Sequence, residues 1–126
     1  MRYTLYLIIL LASVVLSGCR QEMPAPIELT LFYSPHCHAC HEVMADFLPA
    51  LLEKYKEYIV LAEYDSDQAE NLARLRGLTE RFDRGNSYIP AILISEHFLM
   101  GKKEIYDTLE ENIIEVLKQN GVTPAR

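Results

Sequence analysis

The sequence predicts an α/β domain of three layers, in which a central mixed sheet of about four strands is flanked by helices in the order βαβαββα. Residues 27–33 follow the period-two pattern of a strand. Residues 58–64 form a continuous apolar run of strand length, which is typical of a strand covered on both faces. Amphipathic helical stretches separate and follow these strands, and this alternation predicts an α/β architecture.

The first predicted helix runs from Cys40 onward, where apolar residues recur at helical spacing. Its apolar stripe consists of Val43, Met44, Phe47, Leu48, Leu51, Leu52 and Tyr55. Pro49 lies within this stretch, and a proline inside a helix removes one backbone hydrogen bond. We therefore expect the first helix to be kinked.

The second helix is expected after residues 65–67, with Asp67 as its N-cap and Glu70 completing a capping box. Its apolar positions are Leu72, Leu75, Leu78 and Phe82. Gly77 is a point at which this helix could divide in two.

A β-hairpin and a last helix complete the predicted order. The strands of the hairpin cover residues 91–95 and 98–100, and the helix covers residues 104–120. Gly121 suits the position just beyond the C-terminus of that helix.

The N-terminal 18 residues have the features of a secretory signal peptide. Arg2 precedes an apolar run that is short for a membrane-spanning helix, and small residues follow it, with an uncleaved anchor as the alternative. Leu16-Ser17-Gly18-Cys19 resembles the lipobox of bacterial lipoproteins, which implies cleavage before Cys19 and lipidation of that cysteine. The chain is thus expected in the cell envelope, lipid-anchored and facing the periplasm or the extracellular side.

Four segments follow from this interpretation: a signal peptide at 1–18, a tether at 19–26, a domain at 27–121 and a C-terminal tail at 122–126. Lipidation of Cys19 leaves two cysteines as a pair, and export favours disulfide chemistry. The formal net charge is −6. An acidic chain without a Lys/Arg cluster argues against nucleic-acid binding.

The chemistry is concentrated in residues 34–41, Ser-Pro-His-Cys-His-Ala-Cys-His. Two cysteines separated by two residues and followed by a histidine admit a reversible disulfide, a metal site or attachment of a c-type haem. The motif follows a strand and opens a helix, whose N-terminus carries unpaired N–H groups and partial positive charge. That placement favours the thiolate of Cys37, the attacking species. Cys40 lies one helical turn further on and can reach the same sulfur.

The element order, the Cys37-His38-Ala39-Cys40 motif after a strand, and a proline at Ile89-Pro90 opening the next strand resemble the thioredoxin superfamily over residues 27 to about 120. The resemblance implies a thioredoxin-like fold and no cofactor beyond a redox-active disulfide. It also implies that Cys37 is the nucleophile, Cys40 the resolving thiol, Pro90 a cis-proline and Ile89 the residue that pairs with substrate.

Two positions depart from that family. His36 replaces the tryptophan that often precedes the first cysteine, and Leu31 replaces a buried carboxylate, the usual proton acceptor for the second thiol. The small size and the opening of the last helix resemble glutaredoxin-like domains and thioredoxin domains of quinone-linked disulfide systems. We therefore expect protein thiols and disulfides as substrates and a membrane-embedded redox partner.

Three histidines, His36, His38 and His41, surround the cysteines. A cation beside Cys37 stabilises the thiolate and makes the pair more oxidising. His38, between the cysteines, is the first candidate for this tuning. For His36 and His41, a solvated position at a helix start is an equal alternative.

Two other chemistries stay open at the level of sequence. Cys37-His38-Ala39-Cys40-His41 is a literal match to the c-type haem attachment signature, with Met44 or Met100 as a second axial ligand. A copper or zinc module could use both cysteines and a histidine. The strand pattern around the motif and the lack of a second cysteine pair favour a thiol–disulfide oxidoreductase, and we predict no metal.

Overall fold

The computed structural model describes residues 24–124. The signal peptide, Cys19 and most of the tether lie outside the described residues, as do the last two residues of the tail. The described elements, in chain order, are β1 (Ile27–Tyr33), α1 (His38–Glu42), a π-helical segment (Val43–Phe47), α2 (Leu48–Lys54), β2 (Ile59–Asp65), α3 (Ala69–Arg81), β3 (Ala91–Ile94), β4 (His97–Met100) and α4 (Lys102–Gln119). With α1, the π-helical segment and α2 taken as one helical stretch, the predicted order βαβαββα is confirmed. Across residues 24–124, no helix combines the length and the apolar character that crossing a bilayer requires.

The four strands form one mixed sheet in the order β2-β1-β3-β4. β1 and β2 are parallel, and the two other pairs are antiparallel. In this register Tyr33 lies opposite Asp65, and Phe32 lies opposite Ala91. The end of β1, the end of β2 and the start of β3 therefore share one edge of the sheet, which we call the site edge.

Both faces of the sheet are covered by helices, and successive side chains of β1 point to opposite faces. The strand β2 at the edge of the sheet is covered less fully than its apolar run predicts, with Val60 45% exposed. Leu29 and Leu31 point to one face, where α2 and α4 cover them in the larger of two apolar clusters. Phe32 points to the other face, where it packs in a second cluster with Leu75 of α3. The thioredoxin-like three-layer arrangement expected from the sequence is confirmed.

The first helix is irregular just before Pro49. Residues 43–47 widen into a π-helical segment, and the N–H of Leu48 donates to the carbonyl of Val43, five residues earlier. Pro49 then lies in the first turn of α2, where a missing N–H leaves no helical partner unsatisfied. The wider turn is a known way for a helix to change course.

Two predictions for α3 are wrong. Its N-cap is Gln68, without a side-chain cap hydrogen bond, because Asp67 belongs to the preceding turn and donates its N–H to Asp65 Oδ1 at 2.9 Å. Gly77 does not divide the helix, since Leu75 and Thr79 on either side of it are both buried.

The hairpin turn lies one residue earlier than predicted, at Ser95 and Glu96, and α4 begins two residues earlier, at Lys102. The predicted role of Gly121 is confirmed. It has a φ of 77°, and its N–H donates to Lys118 O at 3.0 Å. The next N–H, of Val122, donates to Leu117 O at 2.9 Å, which closes a Schellman motif.

Candidate active site

Cys37 and Cys40 are joined by a disulfide directly after β1, with their Cα atoms 5.2 Å apart. The two residues differ in exposure. Cys37 is partly exposed, whereas Cys40 is 0% exposed and belongs to the buried apolar residues. Only one side of this disulfide faces solvent.

The backbone around Cys37 begins a helix, as the sequence predicts. Cys37 is the N-cap of α1, with φ −93° and ψ 108°, and its Sγ accepts a hydrogen bond from the N–H of Cys40 at 3.1 Å. Its carbonyl accepts from Cys40 and His41 N–H groups at 3.1 and 3.2 Å. The sulfur of Cys37 therefore accepts one N–H at the start of a helix, which favours negative charge.

The turn between β1 and Cys37 is held by Ser34, a residue that the sequence analysis did not single out. The carbonyl of Ser34 accepts from the N–H of Cys37 at 3.1 Å. Its hydroxyl accepts from the N–H of His36 at 3.1 Å and donates to Asp67 Oδ2 at 3.1 Å. A sequence signal for this contact did exist, because the carboxyl ends of the parallel strands β1 and β2 must meet at one edge.

The three histidines near the disulfide have three different partners. His36 Nε2 lies 3.9 Å from Asp67 Oδ2, and His38 Nε2 lies 3.7 Å from Glu42 Oε1. Their side chains are 88% and 91% exposed. His41 Nε2 lies 2.7 Å from Pro35 O, so this nitrogen carries the proton, since a carbonyl oxygen can only accept.

Glu42 connects α1 to the start of α4. Its Oε2 accepts from Lys102 Nζ at 2.6 Å. This hydrogen bond holds the pKa of Glu42 below its ordinary value and raises the pKa of Lys102. The carboxylate beside His38 is therefore ionised at neutral pH and is shared between an imidazole and an ammonium group.

Ile89 and Pro90 reach the site edge from the other side. Their peptide bond is cis, as the resemblance implies, and Pro90 is buried. Because Ala91 pairs with Phe32, Pro90 lies at the level where β1 runs into Ser34. Ile89 packs on the second apolar cluster, and the preceding residue, Tyr88, is 58% exposed.

Leu31 occupies the position of the carboxylate that thioredoxins bury, and it is 0% exposed within the larger apolar cluster. Among residues 24–124, the buried polar side chains are Thr30, Ser34, Ser66 and Thr79. None of these can act as a carboxylate base for Cys40.

The predicted alternatives can be compared with this geometry. A thioether-bound haem needs both sulfurs, which here bond to each other, and it needs a free His41 ring nitrogen, whereas Nε2 of this histidine contacts Pro35. Within the described part of the chain, no three His, Cys, Asp or Glu side chains converge as metal ligands.

No protein-family model matches the chain, and no curated protein matches it. Among solved structures, the chain is similar to the germline-specific thioredoxin Deadhead from Drosophila melanogaster. The sequence identity is 22% and the TM-score is 0.46, and the match covers 69% of this chain and 79% of that one. The fold assignment rests on the strand order, register and helix layers of this chain itself.

Proposed function

We propose that this chain is a thiol–disulfide oxidoreductase that exchanges disulfides with protein thiols through Cys37 and Cys40. The unequal exposure of the two cysteines carries the proposal. A partner sulfur can approach Cys37, whereas Cys40 is 0% exposed and has only the neighbouring sulfur within reach. This difference supports Cys37 as the nucleophile and Cys40 as the resolving thiol.

The reductive direction has two steps. The Cys37 thiolate attacks one sulfur of a partner disulfide, a mixed disulfide forms, and the other partner sulfur leaves as a thiolate. The Cys40 sulfur then attacks Cys37 Sγ and expels the first partner sulfur, and the proton of the Cys40 thiol passes to a released partner thiolate. Two electrons have passed from the Cys37/Cys40 pair to the partner, and the reverse sequence oxidises a partner dithiol.

The helix start supplies the stabilisation that such a thiolate needs. In the dithiol form the N–H of Cys40 can still donate to Cys37 Sγ, as it does at 3.1 Å in the disulfide. His38 and His36 add cationic character on the exposed side when they are protonated. His41 acts mainly through its hydrogen bond to Pro35.

The substrate segment is proposed to bind along the site edge. The backbone of Ile89 forms hydrogen bonds with an extended substrate segment, and the buried Pro90 forms the base of the binding surface beside the disulfide. Tyr88, exposed next to Ile89, adds an aromatic contact that suits a peptide rather than a small thiol.

We also propose that the domain is tethered to a membrane of the cell envelope by lipid on Cys19, with a membrane-embedded redox partner. The lipobox-like sequence supports this part of the proposal. The wild-type chain should incorporate radiolabelled fatty acid and the Cys19→Ser chain should not, while the thiol chemistry of both persists. A wild-type chain that stays unlabelled would overturn the lipid anchor.

The activity is tested with the two cysteine variants. Cys37→Ser should lose disulfide exchange with a reduced or oxidised protein substrate, and Cys40→Ser should accumulate mixed disulfides that a reducing gel resolves. Full dithiol activity in Cys37→Ser would overturn the assignment of roles. No exchange by the wild-type chain in either direction would overturn the proposed function.

An absorbance spectrum separates this function from the haem alternative. The purified wild-type chain should have no Soret band. A Soret band that survives denaturation would identify covalent haem and contradict the thiol mechanism.

A further inference from the structure

The hydrogen bond between Ser34 and Asp67 joins the turn before Cys37 to the turn after β2. Ser34 is 6% exposed, and its hydroxyl donates to Asp67 Oδ2 at 3.1 Å. Because a hydroxyl has a single proton, this donation turns its lone pairs toward the N–H of His36, which donates to Oγ at 3.1 Å. The carboxylate of Asp67 therefore orients the hydroxyl that fixes the turn.

The turn that carries Asp67 is itself fixed against β1. The backbone N–H and hydroxyl of Ser66 both donate to Tyr33 O, at 2.7 and 2.8 Å. Asp67 N–H donates to Asp65 Oδ1, and Asn71 Nδ2 donates to Asp65 O, both at 2.9 Å. The carboxylate of Asp67 thus projects from a well-held backbone and does not serve as a helix cap.

We propose that Ser34 and Asp67 are positioning residues that raise the stability of the Cys37–Cys40 disulfide relative to the dithiol. This inference rests on the proposed function, because the stability of the disulfide matters in the cell only if the chain exchanges disulfides with other proteins. Ser34 O also accepts from Cys37 N–H at 3.1 Å, so Ser34 contacts the nucleophile and the residue before it. A held turn keeps the two sulfurs close before the bond forms, which raises their effective concentration.

The relevant equilibrium is exchange with glutathione. The dithiol and glutathione disulfide yield the Cys37–Cys40 disulfide and two glutathione thiols, so two electrons and two protons pass to glutathione. Loss of the Ser34–Asp67 hydrogen bond should lower this equilibrium constant about fivefold, the effect that one net hydrogen bond supports. The pair would then be a stronger oxidant.

The experiment measures this constant for the full chain in detergent, across glutathione buffers of known ratio. The chain has no tryptophan, so the redox state is best read by thiol alkylation and peptide mass mapping. Trypsin releases residues 21–54 as one peptide, because no lysine or arginine lies between Arg20 and Lys54. Both site cysteines are therefore counted without a contribution from Cys19.

Asp67→Ala should lower the constant about fivefold, because it removes the Ser34–Asp67 hydrogen bond. Ser34→Ala also removes the acceptor of His36 N–H and should lower the constant at least as much, and the double variant should match Ser34→Ala. Asp67→Asn keeps an oxygen acceptor and should stay within about twofold of wild type, since an exposed charge adds little. Glu111→Ala removes an exposed carboxylate from α4 and is the matched control, with no expected change.

Constants within twofold of wild type for Ser34→Ala and Asp67→Ala would overturn the inference. Additive losses in the double variant, or an equal loss in Glu111→Ala, would also overturn it. The constant can be measured whether or not the chain acts on protein substrates, so failure of the proposed function and failure of this inference give different results.

Discussion

The turn at residues 34–41 and the cluster around Arg84 are both polar, but they are built differently. In the Arg84 cluster, which consists of Arg84, Phe98, Met100 and Glu104, the guanidinium donates to Phe98 O at 2.9 Å and to both oxygens of Glu104 at 3.0 and 2.6 Å. Glu104 also accepts from the N–H of Met100 at 3.0 Å. Both charged side chains are about two-thirds covered.

The turn at residues 34–41 leaves two of its histidines and part of Cys37 facing solvent. His36 and His38 are almost fully exposed, at 3.9 and 3.7 Å from their carboxylate partners. In the Arg84 cluster, the hydrogen bonds between the guanidinium and the Glu104 carboxylate are bidentate, and this geometry suits stability. The groups around the disulfide remain available to a second molecule, which suits exchange. The two regions should therefore respond differently to substitution.

Arg84→Ala should cause a larger loss of stability than the replacement of any histidine in the turn at residues 34–41. The free energy of unfolding should fall by about 1.5 kcal/mol, because Phe98 O and the Glu104 carboxylate lose their charged donor. Urea unfolding of the oxidised protein, followed by circular dichroism, measures this change. The glutathione equilibrium constant should stay at its wild-type value.

Lys103→Ala is the control for that substitution. Lys103 pairs with Asp107 on the exposed face of α4, and such pairs contribute little to stability. Its unfolding midpoint should match that of wild type. If Lys103→Ala lost as much unfolding free energy as Arg84→Ala, the partly buried Arg84 ion pair would be no more stabilising than an exposed pair.

A smaller effect is expected from pH. The hydrogen bond from Arg84 holds the pKa of Glu104 below its ordinary value, and the same bond raises the pKa of Arg84. The pKa of Glu104 is lower in the folded chain than in the unfolded chain. The ionised carboxylate therefore stabilises the fold above the ordinary glutamate pKa, about 4.3, and this stabilisation is lost as the pH falls through the folded pKa. The stability advantage of wild type over Glu104→Gln should therefore shrink as the pH falls below about 5. An advantage that grows with acidity would contradict this sign.

His41→Ala should have the smallest effect on stability, about 0.5 kcal/mol, since it removes one exposed hydrogen bond to Pro35 O. His41→Gln can place an amide N–H near the same carbonyl and should recover part of the loss. Urea unfolding measures both variants. A loss in His41→Ala as large as that in Arg84→Ala would erase the proposed difference between the two regions.

The element order was predictable because it depends on local pattern. The alternation of β1 and the apolar run of β2 each require burial, and a sheet between helices is the arrangement that provides it. The irregular first helix was also predictable from Pro49. Its form was not, since the N–H of Leu48 reaches Val43 only when the preceding turn widens.

At the site, the sequence identified the cysteines, the histidines and Ile89-Pro90, but it assigned Asp67 to the wrong contact. A capping pattern is local, whereas the observed contact joins Asp67 to Ser34, 33 residues away in the chain. Such a contact depends on the parallel pairing of β1 with β2. The identity of both residues was visible in the sequence, and only the register brings them together.

The central claim is that Cys37 meets the partner and Cys40 does not. The direct test is the rate at which each thiol of the reduced full chain is alkylated by limiting iodoacetamide at neutral pH, with fragment ions of the 21–54 peptide locating the label. Cys37 should react at least about tenfold faster, because it is partly exposed at a helix start while Cys40 is buried. Equal rates, or faster labelling of Cys40, would contradict the account.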